Sequence, residues 1–428
     1  MKRVHGLAAT MLAAMLSCAS GAGSAQTVTP IYDFCSQRKC ADGYFPAGPL
    51  VRDAAGNAYG ITLEGGNAPG DLCPSPGCGT IFEIPAGAAK KHKAINVLYR
   101  FCAVDLCPDG AVPRGGLIVD VSGNLYGMTE IYGPSIGGTA FMLSPGGTLS
   151  VLYGFCQKRK CKDGSGSDTS STALTYAGAT TGAPYDGVSP LYGVTGGGKN
   201  NCGAIFKLTP HGKKWSETSV HDFCSEPMGA DGSGPAGVVA DPAGDLYGVT
   251  TEGGSHEDGE VFKIHGTSLT VLYGFCALSN CTDGSQPFGA PALDAQGNLY
   301  GVTQQGGAGG GGVLYEISSG GTYTKLYDFC SQADCADGSD PIASPYIDSE
   351  GNLIGVTSTG GSAGGGTIYE MSGAYQVLYN FCSQANCADG KDPNAPVISD
   401  GAGDLLGVTA AGGAGKFGQG GTIFEFTP

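Results

Sequence analysis

One short aromatic motif, repeated seven times, divides this 428-residue chain into units of similar length. Each copy has an aliphatic residue, a tyrosine that one copy replaces with histidine, a variable residue and a phenylalanine, which a cysteine follows directly. The seven phenylalanines lie 52 to 68 residues apart and are Phe34, Phe101, Phe155, Phe223, Phe275, Phe329 and Phe381. A recurring period of this kind is typical of propellers and solenoids, in which each unit packs only against its neighbours.

Three further strand-like segments recur inside each unit. The fifth copy shows them at residues 289–294, 298–303 and 312–317. Together with the aromatic motif they make four short strands, named A to D in chain order. Between A and B the chain repeats an Asp-x-x-Gly-Asn turn that starts at Asp53, Asp120, Asp294 and Asp348. These carboxylates are interpreted as turn acceptors rather than as a catalytic or metal set, because Asp, Gly and Asn suit tight hairpins. Four antiparallel strands per unit, in a chain with 77 glycines and 24 prolines, predict the blade of an all-β propeller.

The two ends of the chain indicate a closed ring. The first aromatic motif, at residues 31–34, is a D strand without its A, B and C strands. The last strand, at residues 422–426, is a C strand without its D strand. Joining the two would complete a blade and leave no unpaired edge. We therefore predict a seven-bladed β-propeller with four-stranded blades over residues 26–428, its ring closed by the N-terminal strand joining the C-terminal blade. An open solenoid would carry polar capping repeats instead.

Residues 1–25 are predicted to be a secretory signal peptide. Lys2 and Arg3 precede a short apolar run at residues 7–16 and small residues at 19–25, in the charged, apolar and cleavage-region order of such signals. The run is too short to span a bilayer, so no membrane span is expected. The mature chain is predicted to be secreted, to an extracellular or periplasmic location. In an alternative interpretation, Cys18 carries a lipid anchor.

The cysteines other than Cys18 predict a disulfide framework in an oxidising compartment. Six copies place a second cysteine five residues after the first: Cys35 and Cys40, Cys102 and Cys107, Cys156 and Cys161, Cys276 and Cys281, Cys330 and Cys335, Cys382 and Cys387. The fourth copy lacks the second cysteine. There Cys224 is predicted to bond Cys202, because in an antiparallel meander the start of strand C lies beside the end of strand D.

One further cysteine pair falls in the B–C loop of the first blade. Cys73 is predicted to bond Cys78, and pairing of Cys78 with Cys102 and of Cys73 with Cys107 is the alternative left open. Zinc is not expected, because a zinc site needs clustered thiolates whereas these cysteines are spread around a ring. No metal site is therefore predicted from the cysteines.

Residues that break the repeat are the place to look for chemistry, because residues present in every copy serve the scaffold. The clearest exception is the set His256, Glu257 and Asp258 in the B–C loop of the fourth blade, which could bind a metal or act as base and acid. They are weak catalytic candidates, since three adjacent loop residues do not readily face one point, and a solvated turn is favoured. No phosphate loop, dinucleotide fingerprint or hydrolase elbow occurs in the sequence.

Three other departures from the repeat have structural interpretations. His221 replaces the strand D tyrosine and is interpreted as a core or blade-interface residue. The basic segment at residues 90–93 is interpreted as a solvated hairpin tip. The third blade is enlarged at residues 165–189, which predicts either a cover over one mouth of the ring or a slack loop.

An acidic turn follows strand D in every copy, and its aspartates are Asp42, Asp109, Asp163, Asp231, Asp283, Asp337 and Asp389. Calcium needs six to eight oxygen ligands, whereas each loop offers one or two carboxylates, so turn formation is favoured. No cofactor is predicted, and calcium is the one left open. The formal net charge of −16 repels phosphate backbones, so nucleic acid is not an expected partner.

The strand B and strand C motifs resemble those of the bacterial Gloeo-Verruco, or GloVer, tandem repeat. The family's motif is Leu-Tyr-Gly-Val-Thr-x-x-Gly-Gly, followed by Gly-x-x-Phe and Thr-Pro. Parts of it occur here at residues 191–195 with 203–210 and, with one change, at 405–409 with 421–428. The cysteine staples depart from that family's pattern. The resemblance implies an exported bacterial repeat protein, with no established activity and no functional residues to transfer.

The leading functional hypothesis is an exported, non-catalytic, monomeric binding or scaffold protein that engages a glycan or a protein partner. The first alternative is a propeller-fold polysaccharide lyase or hydrolase, and the second is a structural envelope or matrix component. Convergence of His, Tyr, Arg and Glu from different blades in one cleft would favour the enzyme. A small-residue-lined channel would favour binding or structure.

Overall fold

The computed structural model describes residues 26–67, 73, 76–87, 95–166 and 173–428. The predicted signal peptide at residues 1–25, the lipid-anchor alternative at Cys18 and the basic segment at residues 90–93 lie outside the described residues. Within the described ranges the strands form seven antiparallel sheets arranged as blades. None of the helices described is long and apolar enough to cross a membrane.

The chain up to Gly274 contains β1 and blades 1 to 4. Strand β1 is Thr27–Asp33. Blade 1 contains β2 (Tyr44–Arg52), β3 (Ala58–Glu64), β4 (Thr80–Ile84) and β5 (Asn96–Arg100). Blade 2 contains β6 (Ala111–Val119), β7 (Leu125–Ile131), β8 (Thr139–Leu143) and β9 (Leu149–Gly154). Blade 3 contains β10 (Leu191–Thr195), β11 (Ala204–His211) and β12 (Lys214–Asp222). Blade 4 contains β13 (Ser233–Ala240), β14 (Leu246–Glu252), β15 (Glu260–His265) and β16 (Ser268–Gly274).

Blades 5 to 7 complete the chain. Blade 5 contains β17 (Ser285–Leu293), β18 (Leu299–Gln305), β19 (Val313–Ile317) and β20 (Tyr323–Asp328). Blade 6 contains β21 (Tyr346–Ile347), β22 (Leu353–Thr357), β23 (Thr367–Met371) and β24 (Tyr375–Asn380). Blade 7 contains β25 (Lys391–Pro393), β26 (Ile398–Ser399), β27 (Leu405–Ala411) and β28 (Thr422–Thr427). Single helical turns lie at Arg38–Cys40, Arg159–Cys161, Ala179–Thr181, Pro227–Gly229, Ser279–Cys281, Ala333–Cys335 and Ala385–Cys387.

The predicted ring closure is confirmed. Strand β1 pairs antiparallel with β28, from Thr27 opposite Thr427 to Asp33 opposite Thr422, so the N-terminal strand is the D strand of blade 7. The A strands lie innermost, since β2 contacts both β6 and β27 of the neighbouring blades. The chain is a seven-bladed β-propeller, as its repeats predict.

The A strands are the irregular part of the blades. In blade 7 the A strand is split into β25 and β26, which both pair with β27, and Pro396 lies between them. Proline has no N–H to donate to a ladder, which limits the strands that can contain it. In blade 3 two isolated bridges, Thr175 with Tyr192 and Ser165 with Gly196, replace the A strand. These irregular A strands lie in blades that still close the ring.

Seven apolar clusters lie between adjacent blades and form the core. The phenylalanine of each aromatic motif packs against an aromatic ring on strand C of the next blade, with ring centroids 5.0 to 5.4 Å apart. The pairs are Phe34–Phe82, Phe101–Phe141, Phe155–Phe206, Phe223–Phe262, Phe275–Tyr315, Phe329–Tyr369 and Phe381–Phe424. Buried aromatic pairs of this kind add to the free energy gained from apolar burial. The repeated phenylalanine therefore connects each blade to the next around the ring.

The glycine inside each B strand makes room for that strand C ring. A Cβ added at Gly127 would lie 2.7 Å from a ring carbon of Phe141, and one added at Gly301 would lie 2.3 Å from the Tyr315 hydroxyl. The ring that approaches belongs to the same blade, and it is also the ring that the preceding blade's phenylalanine contacts.

Candidate functional site

The antiparallel meander gives the propeller two chemically different faces. The D-to-A and B–C loops lie at one end of the strands, and Gly133 N of a B–C loop donates to Cys107 O of a D-to-A loop at 3.0 Å. We call this end the staple face. The A–B and C–D turns lie at the other end, where Ala86 N donates to the Asn57 side chain at 2.9 Å. We call this end the turn face.

Eight disulfides lie within the described chain, and such a number is typical of an oxidising compartment outside the cytoplasm. Six close a staple loop between cysteines five residues apart: Cys35–Cys40, Cys102–Cys107, Cys156–Cys161, Cys276–Cys281, Cys330–Cys335 and Cys382–Cys387. The other two are Cys73–Cys78 and Cys202–Cys224. The first of these lies beside Cys102–Cys107, but disulfide sulfurs are not the thiolates that zinc binds.

The aspartate of each staple loop accepts hydrogen bonds from its own repeat. In the first copy, Asp42 Oδ2 accepts from the Tyr32 hydroxyl at 2.8 Å and from Ser36 N at 2.9 Å, and Oδ1 accepts from Gln37 N at 3.1 Å. Burial and the Asp42 carboxylate together raise the pKa of Tyr32. A calcium ion at this carboxylate would compete with three internal donors. The aspartate thus shapes the staple loop.

The A–B turn aspartates are occupied in the same way on the turn face. Asp53 Oδ1 accepts from Ala55 N and Asn57 N, both at 2.9 Å, and Oδ2 accepts from the Asn57 amide and the Tyr59 hydroxyl, both at 2.8 Å. Desolvation opposes ionisation of Asp53, but the hydrogen bonds from Asn57 and Tyr59 outweigh it, so the pKa is lowered. These carboxylates are fixed acceptors and have little remaining capacity for catalysis.

A cleft of about 680 Å³ opens on the turn face, where the A–B turns of blades 1 and 2 meet the insertion of blade 3. Its lining is largely apolar and small, with Ile118 and Val119 from β6 and Tyr176 from the insertion. Arg52 supplies a cation at its edge. The Arg52 Nη1 atom donates to Ser399 O at 3.2 Å, whereas its buried Nε has no hydrogen-bond partner.

The described part of the insertion is held in place by neighbouring blades. Tyr185 N donates to Val119 O of blade 2 at 3.2 Å, and Tyr185 O accepts from Val121 N at 3.0 Å. On the other side, Gly178 N donates to Asp241 O of blade 4 at 3.2 Å. The described part of the insertion therefore packs on the turn face, between blades 2 and 4. Residues 167–172 of it lie outside the described ranges.

An equivalent cleft of about 620 Å³ lies between the A–B turns of blades 5 and 6. It is lined by Gln296 and Tyr300 of blade 5 and by Ile347, Ser349 and Glu350 of blade 6. The two clefts occupy the same position relative to their blades. The inter-blade spacing of the turns creates both, and the insertion adds a wall to the first.

The sequence-predicted candidates His256, Glu257 and Asp258 lie in a B–C loop on the staple face. His256 and Glu257 are exposed. Asp258 Oδ1 accepts from the Ser285 hydroxyl of blade 5 at 2.7 Å. Among the described residues, the possible metal-ligand group that contains Asp258 includes neither His256 nor Glu257.

A buried exception to the repeat lies two residues further on, at Glu260. The first residue of strand C is a threonine in four blades, and in blade 1 its hydroxyl lies 2.8 Å from that of Thr62 on strand B. The strand C residues are Thr80, Thr139, Ala204, Glu260, Val313, Thr367 and Thr422. Aligning this position across the repeats is the sequence signal that would have found Glu260.

Glu260 has no internal partner for its charge. It lies opposite Thr250 in the β14–β15 ladder, and both residues are fully buried. Neither Glu260 carboxylate oxygen has a hydrogen-bond partner, nor has the Thr250 hydroxyl. Burial, and then the negative charge of Asp231, raise the pKa of Glu260 to about 8. The side chain is therefore mostly protonated at neutral pH.

His221 takes the place of the strand D tyrosine without new chemistry. Its Nε2 lies 3.0 Å from Asp231 Oδ2, in the position where Tyr32 meets Asp42. Its ring contacts Phe223 edge-on, with centroids 4.9 Å apart. His221 thus supports the fourth staple loop, as a satisfied blade-interface residue would.

Comparison with known proteins gives a family and several distant structures. A family model described as the Gloeobacter/Verrucomicrobia repeat matches residues 270–428, and no curated protein matched. A candidate 6-phosphogluconolactonase from Bacteroides uniformis matches with a TM-score of 0.46 at 12% identity, over 83% of this chain and 95% of its own. A variant of the Aleuria aurantia lectin with α-methyl-L-fucoside matches with a TM-score of 0.40 at 13% identity, over 78% and 94%. At this level of similarity neither structure assigns an activity.

Proposed function

We propose that this chain, whose C-terminal repeats belong to the Gloeobacter/Verrucomicrobia repeat family, is an exported, non-catalytic propeller that binds a glycan in the inter-blade clefts of its turn face. The observation that carries the proposal is the pair of equivalent clefts, of about 680 and 620 Å³. Equivalent sites on one face would give multivalent binding of a repetitive ligand, whose avidity exceeds the affinity of either site.

The size and lining of the clefts suit a short saccharide. Ligand pockets commonly have volumes of about 300 to 1,000 Å³ and combine apolar walls with a few polar groups. Each cleft has a tyrosine in its lining, Tyr176 in the first and Tyr300 in the second. An aromatic ring offers a face to the C–H groups of a sugar and a hydroxyl at its edge.

The polar groups of the clefts favour binding over catalysis. Glycoside hydrolysis needs a pair of carboxyl groups free to act as acid and base or nucleophile. Asp53 and Asp120 line the first cleft, and each accepts hydrogen bonds at both oxygens from its own turn. Among the described residues, no histidine or cysteine lines either cleft. Since the net charge of −16 repels anionic polysaccharides at long range, a neutral glycan fits best.

A combined glycan-array and polysaccharide-degradation screen on the oxidised mature protein tests the proposal. It is run with and without calcium, and reads bound ligand and released product together. Binding without product is the expected result. Product release would overturn the proposal in favour of an enzyme, and absence of both would overturn it in favour of a protein partner or a structural role.

Variants place the ligand once a glycan is found. Tyr176→Ala and Tyr300→Ala should each weaken binding, because each removes the ring of one cleft. Tyr176→Phe should retain binding because it keeps the ring. Tyr247→Ala is the matched control, since Tyr247 holds the same strand B position as Tyr300 in blade 4 and lines neither cleft. Equal loss in all the alanine variants would contradict binding in the clefts.

A further inference from the structure

We propose that blade 1 contains a thiol–disulfide exchange site, at which four cysteines change between two pairings through a transient mixed disulfide between Cys73 and an external thiol. In the structure the pairing is Cys73–Cys78 and Cys102–Cys107. The second pairing is Cys78–Cys102 and Cys73–Cys107. The site lies on the staple face and does not depend on glycan binding in the clefts of the turn face.

The four sulfur atoms of these cysteines lie side by side. All four Sγ atoms are within 4.8 Å of one another. Disulfides exchange when a thiolate attacks a sulfur of another disulfide, so a thiolate released from one of these bonds is next to both sulfurs of the other bond. Among the described residues, no other group of this kind contains two disulfides. Blade 1 is therefore the place where exchange within the chain has a partner.

The fourth copy of the repeat already contains a bond of the second kind. Cys202 holds the position of Cys78, because the carbonyl oxygen of each accepts a hydrogen bond at 2.9 Å from the second residue of the next A strand. Cys224 holds the position of Cys102, because each follows the phenylalanine of the aromatic motif. Cys202 bonds Cys224, with Cα atoms 5.9 Å apart. The same backbone positions in blade 1 are therefore compatible with a Cys78–Cys102 bond.

Exposure decides where the exchange begins. Cys78 and Cys102 are each 1% exposed and Cys107 is fully buried. Cys73 is only partly buried where it packs against them. Because access to a sulfur is one of the factors that set the rate of exchange, Cys73 is the atom that an external thiolate attacks.

Three thiolate attacks convert one pairing into the other. The external thiolate attacks Cys73 Sγ, forms a mixed disulfide and displaces Cys78 as a thiolate. The Cys78 thiolate attacks Cys102 Sγ, forms the Cys78–Cys102 bond and displaces Cys107. The Cys107 thiolate then attacks Cys73 Sγ in the mixed disulfide, forms the Cys73–Cys107 bond and releases the external thiolate. Three sulfur–sulfur bonds form and three break, so the chain keeps two disulfides and nothing is oxidised or reduced overall.

Disulfide mapping of the oxidised mature protein, incubated with glutathione under native conditions, tests the exchange. Free thiols are blocked with N-ethylmaleimide before digestion with trypsin, which cleaves after Lys and Arg and so places the four cysteines in two peptides, residues 53–90 and 101–114. The pairing in the structure leaves these peptides unlinked, whereas the second pairing links them. We expect the linked form to appear with glutathione and to be absent without it. Unlinked peptides after incubation of the folded protein with glutathione would overturn the proposal.

Cys107→Gly gives a second test that needs no external thiol. Glycine is the residue that the fourth copy has at this position, where Gly229 has a φ of 68° and Cys107 one of 46°. In this variant the Cys102 thiolate should attack Cys78 and displace Cys73. The cysteine that N-ethylmaleimide blocks should therefore change from Cys102 to Cys73, and the two tryptic peptides should be linked.

Cys281→Gly is the matched control. It removes the second cysteine of the fifth copy, where the described residues place no second disulfide beside the staple, so Cys276 should keep the free thiol. A free Cys102 beside an intact Cys73–Cys78 bond in Cys107→Gly would contradict the proposal, and so would loss of the free thiol from Cys276 in the control. The wild-type mapping decides the question even if the variant fails to fold.

Discussion

Replacing Glu260 with threonine should remove a pH-dependent weakness from blade 4. The substitution gives this blade the threonine pair that Thr62 and Thr80 form in blade 1, where the hydroxyls lie 2.8 Å apart. It also removes two buried carboxylate oxygens that have no hydrogen-bond partner. Unpartnered buried polar groups are costly, and an ionised one costs more.

The size of the effect follows from the shifted pKa. The pKa of Glu260 is raised from 4.5 to about 8, so the folded state holds a proton that the unfolded state releases. Because the folded pKa is the higher one, the penalty is absent below the unfolded pKa, grows as the pH rises, and is complete above the folded pKa. Its slope is about 1.4 kcal/mol per pH unit. Between about pH 5 and about pH 7, Glu260 should therefore cost the wild type roughly 3 kcal/mol of stability that Glu260→Thr keeps.

Denaturant unfolding of the oxidised proteins across this pH range measures the effect. The difference in unfolding free energy between Glu260→Thr and wild type should widen as the pH rises, which separates Glu260 from all other titrating groups. Glu260→Gln is the matched control: it should show the flat pH profile of the threonine variant but a lower stability, because it still buries an amide without partners. A constant difference between wild type and Glu260→Thr at every pH would refute the reasoning.

Two further substitutions test the packing and hydrogen bonds of the repeat, each measured by denaturant unfolding. Gly301→Ala should destabilise by about 1 to 3 kcal/mol, because the added Cβ would lie 2.3 Å from the Tyr315 hydroxyl, whereas Gly320→Ala, in open space in the same blade, should be nearly neutral; equal losses would contradict the assignment. Asp337→Asn should cost about 1 to 3 kcal/mol because four donors lose a charged acceptor, and Asp334→Asn at the exposed tip is the control. Although desolvation raises the pKa of Asp337, the hydrogen bonds lower it overall, so its contribution is present above the unfolded pKa and lost in acid; an unchanged acid transition in Asp337→Asn would count against this role.

The sequence alone was sufficient for the architecture. The aromatic motif and the cysteine after it are local, regularly spaced signals. The unmatched strands at the two ends indicate closure of the ring without any knowledge of contacts. The cysteine spacing is equally local, since five residues is the separation inside six staple loops. Fold prediction succeeded here because each blade repeats the same short-range chemistry.

The candidate sites depended on contacts between distant residues. The sequence led to His256, Glu257 and Asp258, which are recognisable as a polar loop. The buried exception is Glu260, and only the tertiary structure shows that its carboxylate has no hydrogen-bond partner. In the same way, composition gave no indication that Tyr185 of the insertion would bond to the inner strand of blade 2 and so wall the first cleft. Periodicity determines which strands form and in what order, because strand formation and turns depend on nearby residues. Burial, hydrogen-bond satisfaction and the shape of a cleft are decided by tertiary structure, because they depend on which distant groups come to lie within a few ångströms.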